Sequence, residues 1–381
     1  MSLKETAVAL TLAVAAGPTL AAPRVPHLDH VFVIVMENHH YSQILGNTNM
    51  PFLNGANGRP GYASTANLAQ NYLAVGHPSL TNYLEIIGGS NFGIVNDNSP
   101  DWHDMNCEST LAAPVFEGGP NICPIAGIGM DAATPAVDTT NEGTPSDPIY
   151  NTPLAPAPTV GRSIADQMDE EGLTWKSYQE NLPPYGADKI NNSDGLLADS
   201  MGPVFSAGMP KLYAVKHNPF VYFESVQNHG LRNIVSFAQL YADLRTGNLP
   251  NLSFIAPNQC HDQHGRGSSE VGTGCSVDAN TIAQGDAALQ DLVTAIHSSP
   301  VWRGGDRSAI VVVWDENDYS SLPNQVVTVV DTNYGVKGVK SNTAYNHFSL
   351  LKTLEAGFGL RYLNHAADSN VMPMADLFAE R

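Results

Sequence analysis

Two adjacent carboxylates, Asp315 and Glu316, follow directly on the apolar run Ile310 to Trp314. Glu37 and Asn38 follow the run Val31 to Met36 in the same way. Carboxylate and amide oxygens are hard ligands that suit one divalent cation such as Mg²⁺, Ca²⁺ or Mn²⁺; a neighbourhood richer in imidazole would admit Zn²⁺ or Fe. His77, His217, His261, His264 and His347 stand in polar segments of the same kind. Metal ligand, hydrogen-bond donor to an anion and general acid are all open roles for them. Ser79 and Thr81, in the segment Gly76 to Tyr83, are the hydroxyl candidates. A free hydroxyl is a poor nucleophile, and a metal ion or a base beside it activates it.

The elements that must position these groups come next. The run at Ile310 is short, rich in valine and free of polar residues, which predicts a strand buried on both faces, as in a parallel sheet. Val31 to Met36, Leu252 to Ala256 and Lys211 to Val215 read as strands of the same kind. They run into Glu37-Asn38, the segment Asn258 to His264, and His217-Asn218 respectively. In open α/β sheets ligands bind beyond the carboxyl ends of the strands, so these polar ends are expected to converge there. Further strands are predicted over 174–178 and 325–330. Helices are expected over 163–171, 234–245, 286–296 and 348–358. Pro78 near its start and Gly89 after its last apolar residue delimit one more helix, which places Ser79 in a first turn, where free N–H groups favour an anion. Alternation of strands and helices predicts an α/β fold with a mostly parallel central sheet and helices on both faces. Residues 93–160 are rich in Pro, Asn, Thr and Asp and read as a long irregular insertion, a lid or substrate-binding loop.

A formal net charge of -19 with only 18 Lys and Arg argues against nucleic acid as a partner. It leaves room for a small anionic substrate, because a bound metal supplies local positive charge. Lys4, the apolar stretch Ala7 to Ala16 and the small residues up to Ala22 read as a signal peptide over 1–22, which implies a secreted or periplasmic protein. Beyond it no stretch has the roughly 18 apolar residues a membrane span needs. The four cysteines form two local pairs, and bridges Cys107 to Cys123 and Cys260 to Cys275 are the simplest connectivity.

Six words, in chain order from about residue 30 to about 360, resemble the phosphoesterase family. This is the family of bacterial and fungal acid phosphatases and phosphocholine-type phospholipases C, within the alkaline-phosphatase superfamily. The words are Val33 to Asn38, His77 to Leu84, Lys216 to Pro219, Pro257 to Asp262, Trp314 to Asp318 and Tyr345 to Leu351. The resemblance implies one alkaline-phosphatase-like domain over 23–381. It implies metal ligands at Glu37, Asn38, Asp315 and Glu316, a nucleophile at Ser79 and a phosphoryl contact at Asn82. Two-zinc members of the superfamily carry an Asp-x-x-x-His pair where this chain has Asn258 and Asp262. One metal is therefore implied, with Asp262 kept among its candidate ligands and His217, His264 and His347 serving the phosphate and the leaving oxygen. The implied function is metal-dependent hydrolysis of a phosphomonoester through a phosphoserine. Cleavage of a phospholipid headgroup is the alternative, with Trp102 as the candidate wall of a choline cage, and a non-catalytic secreted binding protein is the third reading.

Overall fold

The computed structural model describes residues 24–101, 107–108, 111, 115–116, 121–132, 157–182, 212–265, 278–318, 320–321 and 323–380. The expected signal peptide, much of the insertion, Trp102 and Cys275 lie outside these residues. The Cys107–Cys123 bridge is formed as expected.

An eight-stranded sheet runs through the described residues. In chain order its strands are β1 (His30–Met36), β2 (Asn67–Ala69), β3 (Trp175–Gln179), β4 (Ile234–Ser236), β5 (Leu252–Ala256), β6 (Ser308–Trp314), β7 (Thr328–Thr332) and β8 (Lys340–Ser341). Their order across the sheet is β4-β3-β5-β1-β6-β7-β2-β8. The first five are mutually parallel. β7 runs antiparallel to both of its neighbours. β1 and β6 pair in register over their whole length, from His30 opposite Ser308 to Met36 opposite Trp314. Every residue of β6 is buried, as its valine-rich sequence requires. Each such side chain taken out of water contributes roughly 1.5–3 kcal/mol.

Among the described residues the longer helices are α1 (Ser79–Gly88), α2 (Ile164–Glu170), α3 (Phe237–Thr246), α4 (Asp278–Ser298) and α5 (His347–Phe358). α1 packs against α5 and α2, and α3 packs against α4. α1 starts where Pro78 predicts and stops at Gly89, which takes the left-handed conformation with φ 69° and returns its N–H to the Glu85 carbonyl. A Cβ at Gly89 would lie 2.7 Å from the Leu363 carbonyl oxygen, so only glycine fits. All ten residues of α1 are buried, and its polar members Ser79, Thr81, Asn82 and Glu85 stand inside the protein.

Three expectations shift. Lys211 to Val215 is not a strand: the described part is an irregular segment that leads into a 3₁₀ turn, Val215–His217. The Leu212 carbonyl takes the Gln259 N–H, and the chain is already turning at Val215. The predicted helix at Ile234 begins three residues later, because the β-branched pair Ile234-Val235 joins the sheet as β4. The late strand lies at Thr328–Thr332 rather than 325–330.

α5 carries a buried titratable group. Glu355 of α5 is fully buried and accepts the Leu363 N–H at 2.8 Å. Burial pushes its carboxyl up to about 9, against the smaller pulls of that hydrogen bond, Lys352 and Gln167. The folded protein therefore keeps this proton over a range in which the unfolded chain releases it. The stability it contributes is fully present below the ordinary glutamate range and is lost as pH rises toward 9. The slope this group adds cannot exceed about 1.4 kcal/mol per pH unit. Glu355→Gln should flatten the decline in melting temperature between mildly acidic and alkaline pH. An unchanged decline in denaturation scans would assign it to other groups.

Candidate active site

β5, β1 and β6 are adjacent and parallel, so their carboxyl ends open on one edge of the sheet. Glu37, Asp262, Asp315 and Glu316 gather there, each at most 2% exposed. Main-chain bonds fix them. Asp315 N–H donates to the Met36 carbonyl at 2.9 Å and Glu37 N–H to the Asp262 carbonyl at 2.8 Å. Asn38 turns the chain off β1 with φ 28°, a conformation asparagine tolerates. Its N–H then donates to Asp315 Oδ1 at 3.2 Å.

Ser79 is the first residue of α1. Its hydroxyl donates to Glu37 Oε2 at 3.1 Å or to Glu316 Oε1 at 3.3 Å. Asn82, one turn on, donates from Nδ2 to Glu316 Oε2 at 3.2 Å and accepts the Gly76 N–H at 3.0 Å. His77 Nδ1 meets the same Glu316 oxygen at 2.7 Å. Thr81, the other hydroxyl candidate, donates to the Ile94 carbonyl at 3.3 Å. The Leu80 N–H at the helix start is already taken by Asp97 Oδ1 at 3.0 Å. A carboxylate of the chain itself thus occupies one of the amides the sequence offered to an anion.

His217 reaches the edge from its 3₁₀ turn and bridges two carboxylates, with Nε2 2.9 Å from Glu37 Oε1 and Nδ1 3.2 Å from Asp262 Oδ2. Tyr83 stacks on its ring with centroids 5.1 Å apart and planes 6° from parallel. Glu37, His217 and Asp262 each offer a ligand atom within 4.8 Å of the others, a grouping that could hold a metal ion. Burial raises the Glu37 carboxyl, but His217 first, then His264 and Lys216, hold it well below the usual range. Burial lowers His217, and Glu37 and Asp262 lift it to about 10. Asp315 and Glu316 are pushed well above the carboxylate range, by burial first and the Glu37 charge second.

His264 lies beside this group, half-buried, its ring 5.9 Å from that of His217 and its N–H on Asp262 Oδ1 at 2.7 Å. The intervening Gln263 has φ 86° and is braced by Trp314 Nε1 at 2.9 Å and by the Ile282 carbonyl at 2.9 Å. His347 stands behind the cluster. Its Nε2 is 2.6 Å from the Asp315 carbonyl and its Nδ1 is 3.1 Å from the Tyr72 hydroxyl. Both ring nitrogens of His347 are thus engaged within the protein, while Nδ1 of His264 meets the Gly265 carbonyl at 2.8 Å. His347 positions Asp315. Asn258 closes a local turn, accepting the Cys260 and His261 N–H groups at 2.9 and 3.0 Å. His261 pairs with Glu180 at 2.9 Å. Sequence reasoning missed Tyr83, Tyr72, Asp97 and Lys216. Tyr83 carried a signal, since it follows Ser79 by one helical turn, and so did Lys216, which opens one of the six words.

The fold and this cluster define an α/β protein with a buried serine, carboxylate and histidine centre at the carboxyl edge of its sheet. The model of the phosphoesterase family matches residues 61–361. The chain belongs to that family and is a phosphoric ester hydrolase. It is 28% identical over 363 residues to the phosphatidylinositol-3-phosphatase of Mycobacterium tuberculosis, covering 95% of this chain and 86% of that protein. It is 24% identical to the probable acid phosphatase of Kluyveromyces lactis, covering 90% of this chain and 61% of that protein. It is also 24% identical to the phosphate-repressible acid phosphatase of Penicillium chrysogenum, covering 77% and 52%. The chain thus spans less than two thirds of either fungal relative. Among solved structures it is similar to a protein in the alkaline phosphatase superfamily from Vibrio parahaemolyticus, with TM-score 0.46 and 11% identity over 91% of this chain and 72% of that one.

Proposed function

We propose that the chain is a metal-dependent phosphomonoesterase of acid phosphatase type with Ser79 as its nucleophile. The observation that carries this reading is the Ser79 hydroxyl, which sits at the first residue of a buried helix between the Glu37 and Glu316 carboxylates. The donor set fits a divalent cation. Four carboxylates crowd one buried edge, and Asp315 Oδ2 is buried without a hydrogen-bond partner. Such a concentration of like charge is costly unless a cation offsets it. Glu37, Asp262, Asp315 and Glu316, with His217 and Asn38 beside them, would hold the ion. When bound it would neutralise these carboxylates, lower the pKa of the serine hydroxyl and polarise a phosphoryl oxygen.

Ser79 Oγ attacks phosphorus in line with the leaving oxygen. Its proton passes to Glu37 or Glu316, both within hydrogen-bond reach. The Oγ–P bond forms as the ester P–O bond breaks, and His264 gives a proton to the departing alkoxide. Water then cleaves the phosphoserine and restores the hydroxyl. Asn82 Nδ2 donates to an equatorial oxygen, where charge accumulates, while His217 stays between Glu37 and Asp262.

Hydrolysis of p-nitrophenyl phosphate and p-nitrophenyl phosphorylcholine, with and without a chelator, tests the reading. Monoester cleavage that disappears with the chelator is the expected result. Cleavage of the diester alone would favour a phospholipase C, and silence on both a binding protein. The Mycobacterium relative's name favours a second substrate class, a phosphorylated inositol headgroup. We also place the chain outside the cytosol, a reading supported by the signal-like N-terminus and the Cys107–Cys123 bridge. Among the described residues no helix is long and apolar enough to cross a membrane.

A further inference from the structure

Two charged residues that the mechanism does not use lie against the centre. Lys216 directly precedes His217 and is 5% exposed. Its ammonium lies 2.9 Å from Asp97 Oδ2. The other oxygen of Asp97 accepts the Leu80 N–H at 3.0 Å, in the first turn of the helix that presents Ser79. One carboxylate therefore joins three separate segments: its own loop at the start of the insertion, the start of α1, and the turn that carries His217. The two residues stand 119 positions apart in the chain. After Asp97, the next charges acting on Lys216 are those of Glu37 and Glu316. These are the two carboxylates that receive the Ser79 hydroxyl. A buried ammonium with one carboxylate partner could be a structural ion pair alone. The carboxylate of this pair also holds the first turn of the helix that presents Ser79.

We propose that Asp97 and Lys216 are positioning residues of the phosphoester centre. Asp97 fixes the start of α1 relative to His217. Lys216 holds the Asp97 carboxylate in the orientation that lets it do so. This inference rests on the reading of Ser79 as nucleophile. A displacement of about 1 Å at a reacting group can cost on the order of a hundredfold in rate, so the effect should appear in kcat rather than KM.

The test compares Asp97→Asn, Lys216→Met and the double variant with wild type, reading kcat, KM and melting temperature on p-nitrophenyl phosphate, with Ser79→Ala as reference. Each single substitution is expected to lower kcat roughly tenfold to a hundredfold, with KM little changed. Asp97→Asn leaves the buried Lys216 ammonium unpaired and lowers the melting temperature most. The double variant carries neither charge, so it should regain much of the thermal stability while kcat stays low. Recovery of kcat together with stability in the double variant would make the pair structural only and overturn the proposal. Wild-type kcat in Asp97→Asn would do the same, as would failure of the double variant to fold. Turnover retained in Ser79→Ala would instead remove the nucleophile reading on which the proposal stands, whatever the pair variants do.

Discussion

Ser79→Ala should lose roughly a thousandfold to a millionfold in kcat, the range seen when a nucleophile is removed from a preorganised site. Its melting temperature should stay close to that of wild type. The hydroxyl is small, the helix is buried along its whole length, and alanine is a good helix former at the same position. The neighbouring hydroxyl does not offer a ready substitute: Thr81 is bonded to the Ile94 carbonyl, away from the carboxylates that Ser79 meets. A variant that keeps near-normal turnover while folded would show that water or Thr81 attacks phosphorus. Trapping of a phosphoserine by acid quench of the wild type, and its disappearance in the variant, would separate these cases directly.

Removing the metal should have the second large effect, and it should appear in stability as well as rate. With the ion extracted, Glu37, Asp262, Asp315 and Glu316 face one another in a site that is at most 2% exposed. Adding back a divalent ion that binds the folded state alone should stabilise the protein by about 2.7 kcal/mol at a free concentration a hundred times its Kd. Titrations of the chelated protein with Mg²⁺, Ca²⁺, Mn²⁺, Zn²⁺ and Fe²⁺ should therefore raise the melting temperature with saturable dependence on at least one of them. Activity should return with the same ion. Asp315→Asn should weaken that dependence, because it removes a charge whose Oδ2 is buried without a hydrogen-bond partner. A melting temperature indifferent to every ion, with no metal in the purified protein, would contradict a cation-holding site.

The centre of the sheet was legible because β1 and β6 are apolar after their first residue, β5 is apolar except at Ser253, and all three are almost wholly buried. Their polar ends converge because parallel neighbours share an edge, so Glu37, Asp262, Asp315 and Glu316 followed from topology. The start of α1 followed from Pro78 and its end from Gly89. The sequence misled where a short apolar word is compatible with two geometries. Lys211 to Val215 ends in a short apolar run that reads as a strand, yet Val215–His217 is a 3₁₀ turn and the Leu212 carbonyl bonds the distant Gln259 N–H. Ile234 to Ser236 merges with the helical pattern that follows it, and only pairing with β3 separates the two. The contact of His347 with the Asp315 carbonyl was not legible, since nothing local says which carbonyl a ring nitrogen meets. The Asp97–Lys216 contact had no signal at all, because ion pairs across 119 positions leave no period in a chain.

The placement of β1 bears on how the protein comes into being on the ribosome. β1 is the first strand made, yet its two partners are β5 and β6. About 200 residues must be synthesised before either can reach it, which at ordinary elongation rates takes on the order of ten seconds or more. During that time Val31 to Met36 is a six-residue stretch without charge, rich in β-branched residues and unable to pair in its native register. Nascent chains should therefore be vulnerable to aggregation at this segment and dependent on holding factors. Variants that slow pairing of β5 or β6 should lower the yield of soluble protein before they lower the stability of what folds.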